Sequence, residues 1–266
     1  KFTELVGALK NALRHDPKSE EALNRIWFCT ELLEMYQDSV VFHQELIDQN
    51  PYSHLAWFNL GHAYAGLGKY EKSFEAFEYV IAIDENFESA YICCGDVLYN
   101  LELFDESIKF YLDAIKLSKA NKELYLKTGE CFEKLGDLTK SRAYLRKAIS
   151  VDPYYDEAFY KLGDTYRLEE NWMKATSSYE RAVKMSKENI DYLLALAEAY
   201  MNIDEAIKAV DMFERIFQLD VQAKQNWINL ATAYFNAENF RKAFQVLSEA
   251  EQKYDNSADI FYIKAV

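Results

Sequence analysis

Proline and glycine are scarce in this sequence, with three prolines and eight glycines among 266 residues. This scarcity argues against a chain rich in tight turns, because these two residues dominate such reversals of the backbone. Hydrophobic residues nonetheless make up 50% of the chain, which is enough to build a substantial core. The composition therefore predicts a fold made almost entirely of helices.

Long apolar runs are absent as well. No stretch of about 18 apolar residues occurs, and a membrane-spanning helix needs roughly that length. The chain also does not open with a basic segment followed by an apolar one, which is the pattern of a secretion signal. We therefore expect no insertion into a membrane.

Basic residues are outnumbered by acidic ones. Lys and Arg total 30 against 44 Asp and Glu, which gives a formal net charge of −14 at pH 7. Nucleic-acid binding draws most of its non-specific affinity from cationic contacts to phosphates. The charge balance therefore argues against a nucleic-acid partner.

Cysteine is also sparse, and its spacing matches no metal site. The four cysteines are Cys29, Cys93, Cys94 and Cys131, and they contain no CxxC pair or zinc-ligand spacing. We interpret them as small buried hydrophobic residues in a reducing compartment, which favours a cytoplasmic protein.

Catalytic patterns are missing too. The four histidines form no HExxH pair, and no Ser or Cys nucleophile can be assigned a base. The segment 66–69 (GLGK) lacks the spacing and the final Ser or Thr of a phosphate-binding loop, and it follows a predicted helix rather than a strand. We expect a non-enzymatic protein that needs no cofactor and no metal.

What the sequence does contain is a repeat of 34 residues. Trp57, Leu60, Gly61 and Tyr64 lie at i, i+3, i+4 and i+7, on one face of a predicted helix. The same pattern returns 34 residues away in both directions, which indicates an array of repeated units. Counting from position 1, the seven complete repeats begin at Glu20, His54, Glu88, Lys122, Asp156, Ile190 and Lys224.

Small residues recur at two positions of this repeat. Position 8 is Gly or Ala in six repeats: Gly61, Gly95, Gly129, Gly163, Ala197 and Ala231. Position 20 is Ser or Ala in all seven: Ser39, Ser73, Ser107, Ser141, Ala175, Ala209 and Ala243. Two antiparallel helices need small side chains where their backbones come closest, so each repeat is predicted to be a helix pair.

The pattern resembles the tetratricopeptide repeat, a 34-residue pair of helices A and B. The resemblance implies an all-α, right-handed superhelical solenoid of antiparallel helix pairs, with helix A on the concave side. We expect one solenoid over residues 1–266. Its parts are the second helix of a truncated repeat (1–19), complete repeats at 20–53, 54–87, 88–121, 122–155, 156–189, 190–223 and 224–257, and the start of another (258–266).

The first complete repeat departs from the pattern. Trp27 stands at position 8, where the other repeats have Gly or Ala, and Thr30 replaces the Tyr of position 11. A large side chain at position 8 cannot sit between closely packed helices. We therefore expect the two helices of this repeat to be splayed or capped differently.

The resemblance also implies which residues face a concave groove. Position 5 is mostly apolar, and four consecutive repeats carry an acidic residue at position 9. The expected groove residues are Phe58, Asn59, His62, Ile92, Asp96, Tyr99, Leu126, Lys127, Glu130, Tyr160, Asp164, Arg167, Leu194, Glu198 and Ile228. A peptide with basic and apolar side chains would match this surface. Alternatively, position 5 is core packing and position 9 a solvated acidic face.

One subtype of the family grips a terminal carboxylate with Lys, Arg and Asn on consecutive A helices. Asn59 and Lys127 stand alone in this chain, and Asp96 and Glu130 would oppose a carboxylate. That subtype is therefore not expected.

The leading prediction is a protein-interaction scaffold that binds a peptide segment of another protein in its groove. The alternative is a docking or regulatory segment of a larger protein whose catalytic or signalling domain lies outside these residues. A further expectation is end-to-end self-association, since a repeat array cut at both ends leaves apolar faces uncovered.

Overall fold

The computed structural model describes residues 1–118 and 120–254. These residues form fifteen α-helices joined by short turns, and no strand occurs among them. The predicted all-α repeat solenoid is confirmed as the fold class, whereas its right-handed superhelical course stays a prediction. No helix in the described ranges is long and apolar enough to cross a membrane. The expected start of another repeat at 258–266 lies outside the described residues.

The A and B helices alternate along the chain. The A helices are α2 (Glu20–Leu32), α4 (His54–Gly66), α6 (Glu88–Asn100), α8 (Lys122–Lys134), α10 (Asp156–Arg167), α12 (Ile190–Asn202) and α14 (Lys224–Asn236). The B helices are α1 (Phe2–His15), α3 (Tyr36–Gln49), α5 (Tyr70–Ile83), α7 (Phe104–Leu117), α9 (Leu138–Val151), α11 (Trp172–Met185), α13 (Ala206–Leu219) and α15 (Phe240–Lys253). Every A helix begins at the residue predicted to open its repeat.

The chain divides into two compact units. The first spans Lys1–Asp137 and the second begins at Leu138. The single solenoid expected over residues 1–266 stays a prediction. Each unit has its own buried core of side chains from its A and B helices.

Helices A and B of a repeat meet at its small residues. A Cβ added to Gly95 would lie 2.4 Å from the ring of Tyr111, so only glycine fits against this buried tyrosine. From the other helix, Ser107 donates a 2.7 Å hydrogen bond to the carbonyl oxygen of Gly95. Ser73 donates in the same way to Gly61 at 2.8 Å. The prediction that positions 8 and 20 mark the closest approach is confirmed.

Four repeats contact the repeat before them through a tyrosine at position 11. Tyr200 on α12 donates a 2.7 Å hydrogen bond to Glu180 on α11, and Gln44 on α3 donates to Tyr64 on α4 at 2.9 Å. The Lys at position 19 lies over the same ring, for example Lys208 at 5.5 Å from the centre of Tyr200. These contacts stack one helix pair on the next, as repeat arrays require.

The first complete repeat packs differently, as predicted. Trp27 occupies position 8, and α2 packs much less against its own partner α3 than α4, α6, α10, α12 and α14 pack against theirs. The Trp27 ring instead lies 5.1 Å from the ring of His62 on α4. The volume of the indole is the physical reason, since it cannot enter a close helix crossing.

The turn between helices A and B requires a left-handed residue at position 15. Gly68 and Gly136 supply it in two repeats, with φ values of +68° and +78°. In the other five repeats an acidic residue adopts this conformation: Glu34, Glu102, Glu170, Asp204 and Glu238. An acidic residue pays a steric cost there that glycine does not.

Candidate functional site

The second compact unit has an open cleft on its A-helix face. Its volume is about 440 Å³, and α10, α12, α13 and α14 contribute side chains. The cleft is lined by Tyr160, Asp164, Arg167, Asp191, Leu194, Ala195, Glu198, Phe213 and Asn229. Five of these were predicted from the sequence, so the structure brings Tyr160, Asp164, Arg167, Leu194 and Glu198 together.

The floor of this cleft is apolar. Tyr160 stacks on Tyr192, with ring centres 4.7 Å apart and planes at 25°, so its orientation is fixed. Leu194 and Phe213 are half-buried beside it and pack on the core of this unit. The cleft therefore offers apolar surface that is only partly covered by the protein itself.

Carboxylates of two kinds border the cleft. Asp164 is engaged within the protein, because it accepts a 2.8 Å hydrogen bond from Tyr179 and lies 3.5 Å from Arg167. Asp191 and Glu198 are exposed on α12. Burial alone would lower the pKa of Arg167, but its hydrogen bond with Tyr179 and the nearby carboxylates, including Glu198, raise that pKa. The negative charge open to a ligand thus comes mainly from α12.

The first compact unit has a smaller cleft on its A-helix face, of about 310 Å³. It is lined by Asp96, Tyr99, Asn100, Tyr111, Lys127 and Glu130. Asp96 accepts a 2.6 Å hydrogen bond from Tyr111 and another from Lys127 at 2.5 Å. Four predicted residues, Asp96, Tyr99, Lys127 and Glu130, therefore meet here, and one carboxylate already holds a cation of the protein.

Phe58, His62 and Ile92 were also expected in the groove, and all three are half-buried. The His62 ring lies against two phenylalanines, 4.5 Å from the centre of Phe58 and 5.2 Å from that of Phe77. Ile92 packs in the neighbouring apolar cluster around Tyr111. These residues form an aromatic lining rather than a polar one.

His62 lies close to a cysteine, but the pair lacks the chemistry of a catalytic dyad. Its Nε2 is 3.7 Å from Cys93 Sγ. Burial lowers the pKa of His62 to about 4 and raises the pKa of Cys93 to about 12. Both groups are therefore neutral at pH 7, whereas a reactive cysteine needs its thiolate.

Two predicted residues lie in the core instead of on a surface. Asn59 is 3% exposed, and its side chain donates a 2.9 Å hydrogen bond to the carbonyl oxygen of Leu23 on the preceding A helix. Leu126 is 5% exposed. A third, Ile228, is half-buried against the cluster around Trp227 and does not line the cleft of its unit. We leave these three out of the candidate site.

Sequence reasoning missed the tyrosine at position 24. Tyr111 and Tyr179 orient Asp96 and Asp164, and the sequence carries a signal for this pairing. Asp occurs at position 9 only in the two repeats that have Tyr at position 24. Asp191, Phe213 and Asn229 were missed as well, because their share of the cleft depends on how neighbouring repeats pack.

No group of three or more His, Cys, Asp or Glu side chains in the described ranges could hold a metal ion. All four cysteines are free thiols, three of them buried and Cys93 half-buried.

Comparison with known proteins bears on part of the chain. Family models described as tetratricopeptide repeat match residues 54–87, 90–121 and 123–155. A Hsp70-Hsp90 organising protein of Plasmodium falciparum is 28% identical over 82 residues, which are 31% of this chain and 32% of that protein. The chain therefore spans about a third of the length of this curated relative.

Solved structures are similar over more of the chain. The type IV pilus biogenesis factor PilW has a TM-score of 0.67 at 18% identity, over 80% of this chain and 96% of that one. YrrB, described as a TPR protein with an unusual peptide-binding site, has a TM-score of 0.55 at 17% identity, over 69% and 95% of the two chains. At these identities the likeness shows the fold.

Proposed function

We propose that this chain, which is a tetratricopeptide repeat protein, is a protein-interaction scaffold that binds a peptide segment of another protein on its A-helix faces. The segment would carry basic and apolar side chains. The cleft of about 440 Å³ in the second compact unit is the observation that carries this proposal. A groove with apolar walls and a few polar groups at its border is the usual form of a peptide site.

The apolar part of the peptide would lie on Tyr160, Leu194 and Phe213. Tyr160 is held by its stacking on Tyr192, so it needs no reordering when a ligand arrives. A fixed aromatic ring lowers the entropy that binding costs. This favours a ligand that places one apolar side chain in the cleft.

The basic part would lie beside Asp191 and Glu198. Both carboxylates are exposed, and neither accepts a hydrogen bond or forms an ion pair within the described part of the chain. If a Lys or Arg side chain of the peptide lies between them, their charge would raise the association rate of the peptide and fix its register in the cleft. Asp96 and Asp164 are less suited to this role, because tyrosines already occupy them.

Selection of random twelve-residue peptides displayed on phage tests the proposal. Peptides recovered on the protein should combine a Lys or Arg with a nearby apolar residue. The affinity of one such synthetic peptide, measured by isothermal titration calorimetry, should fall about tenfold or more in a variant carrying Asp191→Lys and Glu198→Lys.

The matched control carries Glu188→Lys and Asp211→Lys, which reverse two exposed carboxylates outside the cleft. This control should bind the peptide within about twofold of the wild type, apart from long-range charge effects that salt screens. Equal weakening in the two variants, or selected peptides without basic residues, would rule out the cleft as the site.

A further inference from the structure

The B-helix side of the second compact unit carries positive charge in a chain that is otherwise acidic. Helix α9 contains four basic residues and no acidic one, namely Lys140, Arg142, Arg146 and Lys147. Helix α11 contains Lys174, Arg181 and Lys184 with a single acidic residue, Glu180. The whole chain has a net charge of −14, so this concentration of cations contrasts with its surroundings. We call the surface formed by α9, α10 and α11 the basic groove.

Side chains of α10 bring the cations of the two B helices together. The ring of Tyr166 lies 5.1 Å from the guanidinium of Arg142 on α9 and 5.5 Å from the amine of Lys174 on α11. Arg146 donates a 2.7 Å hydrogen bond to the Tyr166 hydroxyl. On the same helix, the ring of Phe159 lies 4.5 Å from the guanidinium of Arg181. The aromatic rings of α10 therefore form the floor of the basic groove.

Part of this positive charge is engaged by the protein itself, whereas Arg146 and Arg181 are open to a ligand. Arg142 pairs with Glu169 at 2.9 Å, and the carboxylate of Glu180 accepts a hydrogen bond from Tyr200. Arg146 and Arg181 are exposed, and neither forms an ion pair within residues 1–118 and 120–254. Both guanidiniums are positioned by aromatic contacts and keep donors available to a ligand.

The fold does not require cations at these positions. In the first compact unit the equivalent groove lies between α3 and α5 and includes Lys72, the counterpart of Lys174. Its lining also includes Gln44, Asp48, Glu75 and Tyr79. The same repeat positions in the second unit are Arg146, Ser150, Ser177 and Arg181. One architecture thus carries two carboxylates in one unit and two guanidiniums in the other, so the basic character is a property of this surface and not of the repeat.

We propose that the basic groove binds an acidic segment of a partner protein, rich in Asp and Glu. Each B helix here has 14 residues and is about 21 Å long, so an extended segment of about six residues would span the groove. Carboxylates of the segment would pair with Arg146 and Arg181, whose forked donors suit them. A short peptide fits better than RNA or an anionic membrane, because those larger polyanions would extend beyond a surface that is about 21 Å long.

The test measures fluorescence anisotropy of a fluorescein-labelled (Asp-Glu)₄ peptide titrated with the full chain at low ionic strength. A variant with Arg146→Glu and Arg181→Glu should bind about tenfold more weakly. A variant with Arg146→Lys and Arg181→Lys keeps the charge but not the forked donors, so its affinity should lie between those of the Glu variant and the wild type. Urea unfolding of each variant establishes that it is folded.

The charge-matched control carries Lys109→Glu and Lys134→Glu, two exposed lysines of the first compact unit. It should bind the peptide nearly as well as the wild type. Equal weakening in this control would overturn the proposal, because it would show that the peptide is attracted by the overall charge of the protein and not by a specific site. Tighter binding of a uridine octamer or of phosphatidylserine vesicles than of the peptide would overturn it as well.

Discussion

Tyr179 donates a 2.8 Å hydrogen bond to Asp164, fifteen residues earlier on the facing helix. The relationship recurs in the first compact unit, where Tyr111 donates to Asp96 at 2.6 Å. Burial first, and then the neighbouring carboxylate, raise the pKa of both phenols, so they remain donors throughout the neutral range. The carboxylates at position 9 of these repeats are thus held in place by the tyrosine of position 24.

Tyr179→Phe should destabilise the protein by about 1–2 kcal/mol. The substitution removes one hydrogen bond to a charged group, while Arg167 remains beside Asp164 and limits the loss. Urea unfolding followed by circular dichroism measures the change. Tyr154→Phe is the control, because Tyr154 is 81% exposed and should leave the free energy of unfolding unchanged. Equal stability of the two variants would contradict a structural role for the bond.

Gly95→Ala should destabilise the protein by about 1–3 kcal/mol, as overpacking of a core does. The new Cβ would lie 2.4 Å from the ring of Tyr111, which is 1% exposed and tied to Asp96, so the ring cannot swing away. Gly7→Ala in α1 is the matched change, because nothing lies within 4 Å of a Cβ added at this position. That variant should gain up to about 1 kcal/mol from higher helix propensity. Thermal unfolding of both variants compares the two signs directly.

Glu102→Gly should stabilise the protein by up to about 1 kcal/mol. Glu102 has a φ of +60°, where a side chain clashes with its own backbone, and glycine removes this clash. Glycine also raises the conformational entropy of the unfolded chain, which offsets part of the stabilisation. The reverse change, Gly136→Glu at a φ of +78°, should destabilise by a similar amount. Chemical denaturation of the pair gives the measurement, and a loss of stability in Glu102→Gly would mean that the glutamate side chain contributes more than its strain.

The buried His43 and the half-buried His62 should make the first compact unit sensitive to acid. Burial is the main cause that lowers the pKa of His43 and of His62 to about 4 in the folded state, from 6.5. The unfolded chain therefore binds more protons between these values, and stability is lost as pH falls from about 6.5 towards 4. At pH 5 the loss should be about 2 kcal/mol for each histidine relative to pH 7.5.

His43, which stands at position 24 of its repeat, can be tested by itself. Leucine occupies the same position in two other repeats, so His43→Leu should fold and should remove about half of the pH-dependent loss. Its absolute stability also changes, because Asn59 loses one of its two partners, the His43 ring at 3.2 Å. The comparison is therefore between pH values within one variant. His15→Gln, at an exposed position, should keep the full dependence on pH. An unchanged slope in His43→Leu would contradict the assignment.

The sequence predicted the helices well because their cause is periodic. Two patterns predicted the first residue of every A helix correctly. They are the apolar stripe that includes Trp57 and Leu60, and the small residues at positions 8 and 20. The candidate site was predicted less completely. Tyr160, Asp164 and Glu198 meet in one cleft as expected, whereas Asn59 and Leu126 turn towards neighbouring helices and are buried. A repeat position gives the face of a helix, but a neighbouring repeat decides how much of that face stays open.

The amino-acid sequence by itself determined the repeat, the helix pairs and the excess of acidic residues, since these depend on local spacing and composition. Only the tertiary structure decided which carboxylates are engaged, because the tyrosines that hold Asp96 and Asp164 come from the facing helix. It alone also brought Arg146 to the hydroxyl of Tyr166 and Arg181 to the ring of Phe159, both on α10. Hydrogen bonds and ring contacts of this kind depend on distances of a few ångströms between separate helices, and those distances are fixed by packing rather than by any single segment.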